Sequence, residues 1–229
     1  MTLPRRGYGS GWDHYPRYTR KPAREVKDGI KTKSRSGRIG ETWWSGRWVA
    51  ALEAMNMGGR LGRGRTYARK GQVASLEVGE RGAEATVQGS RPRPYQVTMR
   101  LRALTVKQWD GVLDGLSEES LFAAELLAGE MPLDVDTAFQ KAGASLFPKH
   151  SADLITECSC PDYANPCKHI AAVHYILAER LADDPSLLFH LRGRSKVAVL
   201  TALPERRAPP PLPSPAPNWT ATYRKSHRR

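Results

Sequence analysis

The sequence predicts an α+β fold in which a small antiparallel sheet and several helices precede a ββα-like knuckle. Alternating apolar and polar residues between positions 73 and 102 indicate strands, because side chains alternate between faces along a strand. Apolar residues at helical spacing, at 43–55, 106–142 and 170–181, indicate amphipathic helices. All 3 cysteines of the chain fall between positions 158 and 167, which places the knuckle after the sheet and most of the helices.

The 229 residues, 40% apolar and 26% charged, are enough to bury a core in one or two domains. The basic segments at both ends have no hydrophobic periodicity, so we expect both termini to be disordered. The predicted division is a disordered basic arm at 1–40, an α+β domain at 41–150, the knuckle with a closing helix at 151–203, and a Pro-rich basic tail at 204–229.

The first predicted helix begins after Thr42, a suitable N-cap, and places Trp44, Trp48 and Leu52 on one face that is typical of a core. We interpret the next segment, 60–71, as a glycine-rich basic loop whose backbone and arginines could approach phosphates. Its spacing is not that of a Walker loop, and a solvated loop without a ligand is an equal alternative. The candidate nucleic-acid residues in this loop are Arg60, Arg63, Arg65, Arg69 and Lys70.

Three strands are predicted at 73–78, 83–87 and 95–102, joined as an antiparallel meander by turns rich in glycine and proline. Arg91 and Arg93 lie in the second turn and extend the candidate nucleic-acid surface.

Helices are predicted next at 105–116, 117–127 and 133–142, and a short one follows the knuckle at 186–192. The carboxylates of this half are scattered over solvated faces without a nearby serine or histidine base. We therefore expect no catalytic pair and no enzymatic activity. The apolar segment 197–203 is of undetermined type.

The knuckle contains two pairs of soft or borderline donors, each pair separated by a single residue. They are Cys158, Cys160, Cys167 and His169. Such a set matches a closed tetrahedral Cys₃His zinc site, whereas a catalytic zinc keeps one position open. The insert 161–166 suits a chain reversal, and His169 falls in the first turn of the helix that follows. Buried free thiols are the alternative, since three cysteines cannot all form disulfides. His174 lies on another helical face and is predicted to be a packing or surface residue.

This pattern of Cys-x-Cys, six residues and Cys-x-His, followed by an apolar helix, resembles the SWIM zinc finger. Trp43-Trp44, the segment 62–69 and Gln88-Gly-Ser extend the resemblance to bacterial SWIM proteins over residues 41–200. The resemblance implies that the four residues bind one structural Zn²⁺ in a module that contacts nucleic acid or protein. It also implies an association with Swi/Snf-type DNA-dependent ATPases or helicases.

The net charge of +13 lies in the two ends of the chain. Residues 1–40 contain 11 Lys/Arg against 3 Asp/Glu, residues 204–229 contain 6 against 1, and the middle is neutral. Within the middle, 41–103 has 11 basic against 5 acidic residues, and 104–203 has 8 against 14. Basic arms attract polyanions by counterion release, although they could instead be solvated tails that only aid solubility.

The leading functional hypothesis is therefore a zinc-binding module that binds DNA, in preference to RNA, without catalysis. The alternative is a protein adaptor that docks onto a Swi/Snf-type ATPase, with the basic tails only assisting. No small-molecule substrate is indicated. The absence of a long apolar run and of a secretory signal predicts a cytoplasmic protein that does not span a membrane, with nucleoid association as an option.

Overall fold

The sheet of the computed structural model contains the three predicted strands and a fourth that leads into the knuckle; the structure describes residues 21–54, 59–80, 82–119 and 121–207. The strands are β1 Val73–Gly79, β2 Gly82–Val87, β3 Tyr95–Leu101 and β4 Leu154–Cys158. They pair antiparallel in the order β1-β2-β3-β4, so the predicted meander is confirmed. In the last pair Leu101 faces Leu154 and Val97 faces Cys158. The knuckle is thus built onto the sheet. The predicted domain boundary at residue 150 therefore separates β4 from the other three strands of one sheet.

The eight helices of the described residues include six that were predicted, with shifted ends, and two, at 59–69 and 196–207, that were not. They are α1 Trp43–Glu53, α2 Gly59–Arg69, α3 Val106–Glu118, α4 Phe122–Leu127, α5 Val135–Lys141, α6 Lys168–Asp183, α7 Leu187–Leu191 and α8 Lys196–Arg207, with a 3₁₀ turn at Ser151–Asp153. Thr42 caps α1 as predicted, in a capping box with Ser45. In these ranges no helix combines the length and apolar character needed to cross a bilayer.

Residues 21–40 are ordered against the sheet, so the predicted disordered arm at 1–40 is too long. Ile30 forms an isolated bridge with Val73, and the Arg24 N–H donates to the Gly89 carbonyl at 3.0 Å. Ile39 is buried in the core. Backbone pairing and the buried side chains of Thr32 and Ile39 hold this segment, and neither produces a hydrophobic period in the sequence. Residues 1–20 of the arm lie outside the described residues.

The predicted basic loop at 60–71 is mostly helix, and its Gly64 serves a different purpose from the predicted one. Helix α2 packs on α6, and a Cβ at Gly64 would overlap the Ala171 side chain and lie 3.1 Å from its carbonyl carbon. Glycine costs up to about 1 kcal/mol in a helix, but here it permits the close helix contact. The loop prediction failed because the residue that requires Gly64 lies far along the chain.

The core centres on α6, which buries eleven residues between the sheet and helices α1 and α2. Trp48 is fully buried there, and its indole N–H donates to the His174 carbonyl at 3.3 Å. Trp44 is also buried and donates to the Leu181 carbonyl at 2.6 Å. The prediction that these tryptophans belong to the core is confirmed.

A helical group made of α3, α5, α7 and α8 completes the described fold. Trp109 packs edge-on against Phe139 and Phe189, with ring centroids 5.8 and 6.3 Å apart. Buried Arg192 joins this group to the sheet, since its guanidinium donates to the carbonyls of Leu146, Phe147 and Arg102 at 2.9–3.1 Å. Burial lowers the pKa of Arg192 to about 10. No pattern in the sequence indicated this structural role of Arg192.

Helix α8 continues through Pro204, where the Pro-rich tail was predicted to begin. Arg206 forms ion pairs with Asp110, at 2.8 Å, and with Asp114. Arg207 donates to the Ser117 carbonyl at 2.7 Å. These contacts with α3 hold the last turn of α8 in place, so the tail begins later than predicted, and residues 208–229 lie outside the described residues.

Candidate metal centre

Four side chains that the sequence predicted as ligands meet at the end of β4 and the start of α6. The Sγ atoms of Cys158, Cys160 and Cys167 and a ring nitrogen of His169 all lie within 4.8 Å of one another. Cys158 is the last residue of β4, Cys167 is the N-cap of α6, and His169 lies in the first turn of that helix. The structure therefore brings together all four of the predicted residues.

The cysteine-bearing turn is anchored to β3 at one end. The Ser159 N–H donates to the Gln96 carbonyl at 3.0 Å, and the Gln96 N–H donates to Ser159 Oγ at 2.9 Å. At the other end of the insert, Thr156 Oγ1 donates to Asn165 Oδ1 at 2.6 Å and Asn165 Nδ2 donates to the Thr156 carbonyl at 2.7 Å. These bonds close the 161–166 turn and hold the two donor pairs against each other.

The donor geometry fits a zinc ion. His169 Nδ1 lies 3.8 Å from Cys158 Sγ and 3.7 Å from Cys167 Sγ. In a tetrahedral site with Zn–S of about 2.3 Å and Zn–N of about 2.0–2.1 Å, a sulfur and a nitrogen ligand lie about 3.6 Å apart. The observed spacing is therefore that of two ligands sharing one cation, and Nδ1 is the histidine atom that would bind it.

The imidazole of His169 is held between two tyrosines. Its ring centroid lies 4.6 Å from that of Tyr95 and 5.4 Å from that of Tyr67. A Cβ at Gly89 would lie 2.5 Å from the Tyr95 ring and 3.4 Å from His169 Nε2, so the backbone passes close to the site here. This close approach explains the glycine of the Gln88-Gly-Ser motif, which the sequence did not connect with the metal site.

The thiols are crowded enough to share protons. A hydrogen bond from Cys158 is the main cause that lowers the pKa of Cys167 to about 4, and a hydrogen bond with the His169 side chain also lowers it. The same bond raises the pKa of Cys158, and burial raises that of Cys160. A metal cation binds thiolates, so binding releases the protons that the thiols retain and becomes stronger as pH rises.

His174 takes no part in the donor cluster. It is fully buried, its ring stacks on Trp48 with centroids 4.6 Å apart, and its Nε2–H donates to the Trp48 carbonyl at 2.8 Å. Burial lowers its pKa to about 3, so the ring is neutral. Of the two sequence interpretations of His174, a packing or a surface residue, this position agrees with the first.

The seven predicted nucleic-acid residues occupy different environments. Arg63 lines a cleft of about 400 Å³ beside the knuckle, and Arg91 and Arg93 line a second of about 460 Å³. Arg65 instead binds Glu53, at 2.8 Å, and the Tyr175 hydroxyl. The other three lie on or just after α2: Arg69 donates to the Gly37 carbonyl at 2.6 Å, Arg60 is half-buried and Lys70 is exposed.

Two further cations of the first cleft were missed by sequence reasoning. Lys21 and Lys168 line it together with Tyr67, and the Lys168 ammonium lies 5.5 Å from the centre of the Tyr67 ring. Lys168 stands between two predicted ligands, Cys167 and His169, and this position could have drawn attention to it. Lys21 was included only in the basic arm at 1–40 and was not predicted as an individual candidate.

The fold and the donor cluster define a zinc-finger protein, and comparison with known families identifies the type. Residues 147–176 match the SWIM zinc finger, so the chain contains a SWIM zinc finger, a metal-binding domain. The predicted resemblance is confirmed to this extent, and the association with Swi/Snf-type ATPases stays a prediction.

A relative is known from Mycobacterium tuberculosis (strain ATCC 25618 / H37Rv), where it is described as the uncharacterized protein Rv2102. The two are 48% identical over 185 residues, which cover 81% of this chain and 67% of the mycobacterial protein. The chain therefore belongs to the same family as that protein. No solved structure matches the chain significantly.

Proposed function

We propose that this protein is a non-catalytic DNA-binding module whose knuckle is held by one structural Zn²⁺. The observation that carries the proposal is the basic cleft beside the donor cluster, lined by Lys21, Arg63 and Lys168 with Tyr67. The zinc would hold the cleft's wall in place, because Lys168 lies between two of the donor residues.

A structural role for the metal follows from the donor set. Three thiolates and one imidazole complete a tetrahedron, and a closed zinc site contributes to folding without offering a position to substrate. The cluster joins the last residue of β4 to the first turn of α6, so a cation there fixes the strand relative to the helix.

The cleft suits a phosphate backbone. Three of its lining residues are cations and one, Asp162, is an acid. Lysine and arginine contacts with phosphates supply affinity without reading sequence. Lys21, which follows the basic segment 1–20 in the sequence, is one of these three cations.

The second cleft extends the basic surface around the knuckle. Arg91 and Arg93 line it with Ser159, which lies between two donor cysteines. Ser90 of the same loop lines the first cleft. The loop between β2 and β3 thus contributes to both clefts, which together contain five cations.

A protein adaptor is the second candidate, favoured by large apolar side chains exposed on the acidic helical half. They are Val106, Leu121, Leu127, Leu133 and Val197, each 65–75% exposed. An ATPase of the Swi/Snf type would dock there, away from the buried face of α6, with the basic tails only assisting.

The DNA hypothesis is tested by measuring duplex binding over a range of salt concentrations by fluorescence anisotropy. The double variant R63A/K168A removes two cations from the first cleft, and we expect affinity to fall about tenfold and the log–log salt slope to decrease by about 2. The matched control K107A/R180A removes two exposed cations from α3 and α6 and should bind as the unaltered protein does. Equal affinity and slope in the two double variants, with zinc content unchanged, would overturn the proposal.

A further inference from the structure

Tyr163 is 95% exposed at the tip of the insert between the two cysteine pairs. Among the large apolar and aromatic side chains of the described residues it is the most exposed, ahead of Leu133 at 75%. The side chain therefore adds nothing to the core, and the face of its ring is accessible to a ligand.

The turn that carries Tyr163 is fixed on both sides. The Ala164 N–H donates to Asp162 Oδ1 at 3.2 Å, and Asn165 is bonded twice to Thr156. The donor pairs clamp the two ends of the insert. The ring is thus presented on a constrained backbone, and only its two side-chain torsions lose freedom when it binds a flat partner.

The neighbours of Tyr163 in the chain line both basic clefts. Asp162 and Lys168 belong to the first cleft, and Ser159 belongs to the second, beside Arg91 and Arg93. The knuckle therefore carries an exposed ring on a turn whose flanks border cationic surface. An aromatic platform next to a cationic groove is the arrangement by which proteins bind unpaired nucleotides.

We propose that the preferred ligand is single-stranded DNA, with one unpaired base stacked on Tyr163 and the flanking phosphates against the two basic clefts. This inference rests on the proposed function and specifies its substrate. In a duplex both faces of a base are covered by its neighbours, so the ring can gain a stacking contact only with an unpaired base.

The test compares binding of a labelled 20-nucleotide oligo(dT) with binding of the corresponding dA·dT duplex, by anisotropy at one fixed salt concentration. The unaltered protein should bind the single strand more tightly. Tyr163→Ala should weaken single-strand binding about tenfold, in the range found for loss of one aromatic stacking contact, and should leave duplex binding unchanged. Tyr163→Phe keeps the ring and should retain affinity within about twofold.

Leu133→Ala serves as the matched control, because it removes another highly exposed side chain from the distant helical half. Zinc content and thermal stability should be unchanged in all three variants, since Tyr163 and Leu133 lie largely in solvent. Single-strand affinity that survives Tyr163→Ala would overturn the inference, as would an equal loss in Tyr163→Phe. If R63A/K168A still weakens DNA binding in that case, the proposed function stands and only the stacking role fails.

Discussion

The knuckle and the helical group are held together in different ways. Between the cysteine pairs, the side chains of Pro161, Asp162 and Tyr163 are exposed, and polar bonds and the donor cluster fix the chain. In the helical group, Trp109, Phe139 and Phe189 are buried against one another. A short segment with no core of its own therefore needs a metal for its stability, whereas the helices are stabilised by apolar burial alone.

Helix α6 connects the two regions. Its first turn carries His169 of the donor cluster, and its later turns are buried in the core. The two kinds of support should therefore be separable by mutation, with the effects of metal loss concentrated before the middle of α6.

The largest effect is expected from loss of a donor. Cys160→Ala or His169→Ala should lower zinc content below one ion per chain and remove amide protection from 155–169, because structural zinc sites contribute on the order of 10 kcal/mol. Amides of α3 and α5 should keep their protection. Metal analysis and hydrogen exchange check this, and a variant that binds zinc as the unaltered protein does would contradict the ligand assignment.

In the helical group we expect a mutation to reduce stability without reducing zinc content. Trp109→Ala leaves a cavity beside Phe139 and Phe189 and should reduce the free energy of unfolding by about 3–5 kcal/mol. Zinc stoichiometry should stay unchanged, as measured beside denaturant unfolding. Loss of zinc from the still-folded variant would show that the knuckle depends on the helical group after all.

A smaller change in the free energy of unfolding should distinguish two glycines of helix α2. Gly64→Ala should destabilise the protein by about 1–3 kcal/mol, because the added methyl group meets Ala171. Gly62→Ala is the matched control: it faces open space and should stabilise by about 0.5–1 kcal/mol through better helix propensity. Equal signs for the two changes in unfolding free energy would refute the close contact between α2 and α6.

A pH dependence of the unfolding free energy is expected from His174. Its pKa is about 3 in the folded protein and about 6.5 when exposed. Below pH about 6.5 the unfolded chain therefore binds a proton at His174 that the folded protein does not bind. The free energy of unfolding is unaffected by this group above pH about 6.5 and falls as the pH decreases toward 3, by at most about 1.4 kcal/mol per pH unit.

His174→Gln should reduce this pH dependence of the unfolding free energy. Both proteins are compared between pH 5 and 7 with zinc in excess, so that protonation of the thiols affects them alike. An unchanged slope in the variant would mean that His174 is not the group responsible.

The sequence predicted the knuckle well because metal ligation is local in the chain. The spacing of Cys158, Cys160, Cys167 and His169 is itself the geometric requirement. The strands were also predicted well, since alternation along each strand reports its own burial.

Features that depend on distant partners could not be predicted. Gly64 is required by Ala171, Arg65 is engaged by Glu53 and Tyr175, and Arg192 clamps three carbonyls from other elements. Residues 21–40 pack through backbone pairing that leaves no pattern in the side chains. In each case the decisive partner lies many residues away, and composition alone suggested a solvated segment.

X-ray absorption at the zinc edge of the purified protein tests the closed donor cluster most directly. We predict a first shell of three sulfur atoms at about 2.3 Å and one nitrogen at about 2.0–2.1 Å, with no bound water. A shell with two sulfurs, or with an oxygen in place of the nitrogen or a sulfur, would contradict the Cys₃His site.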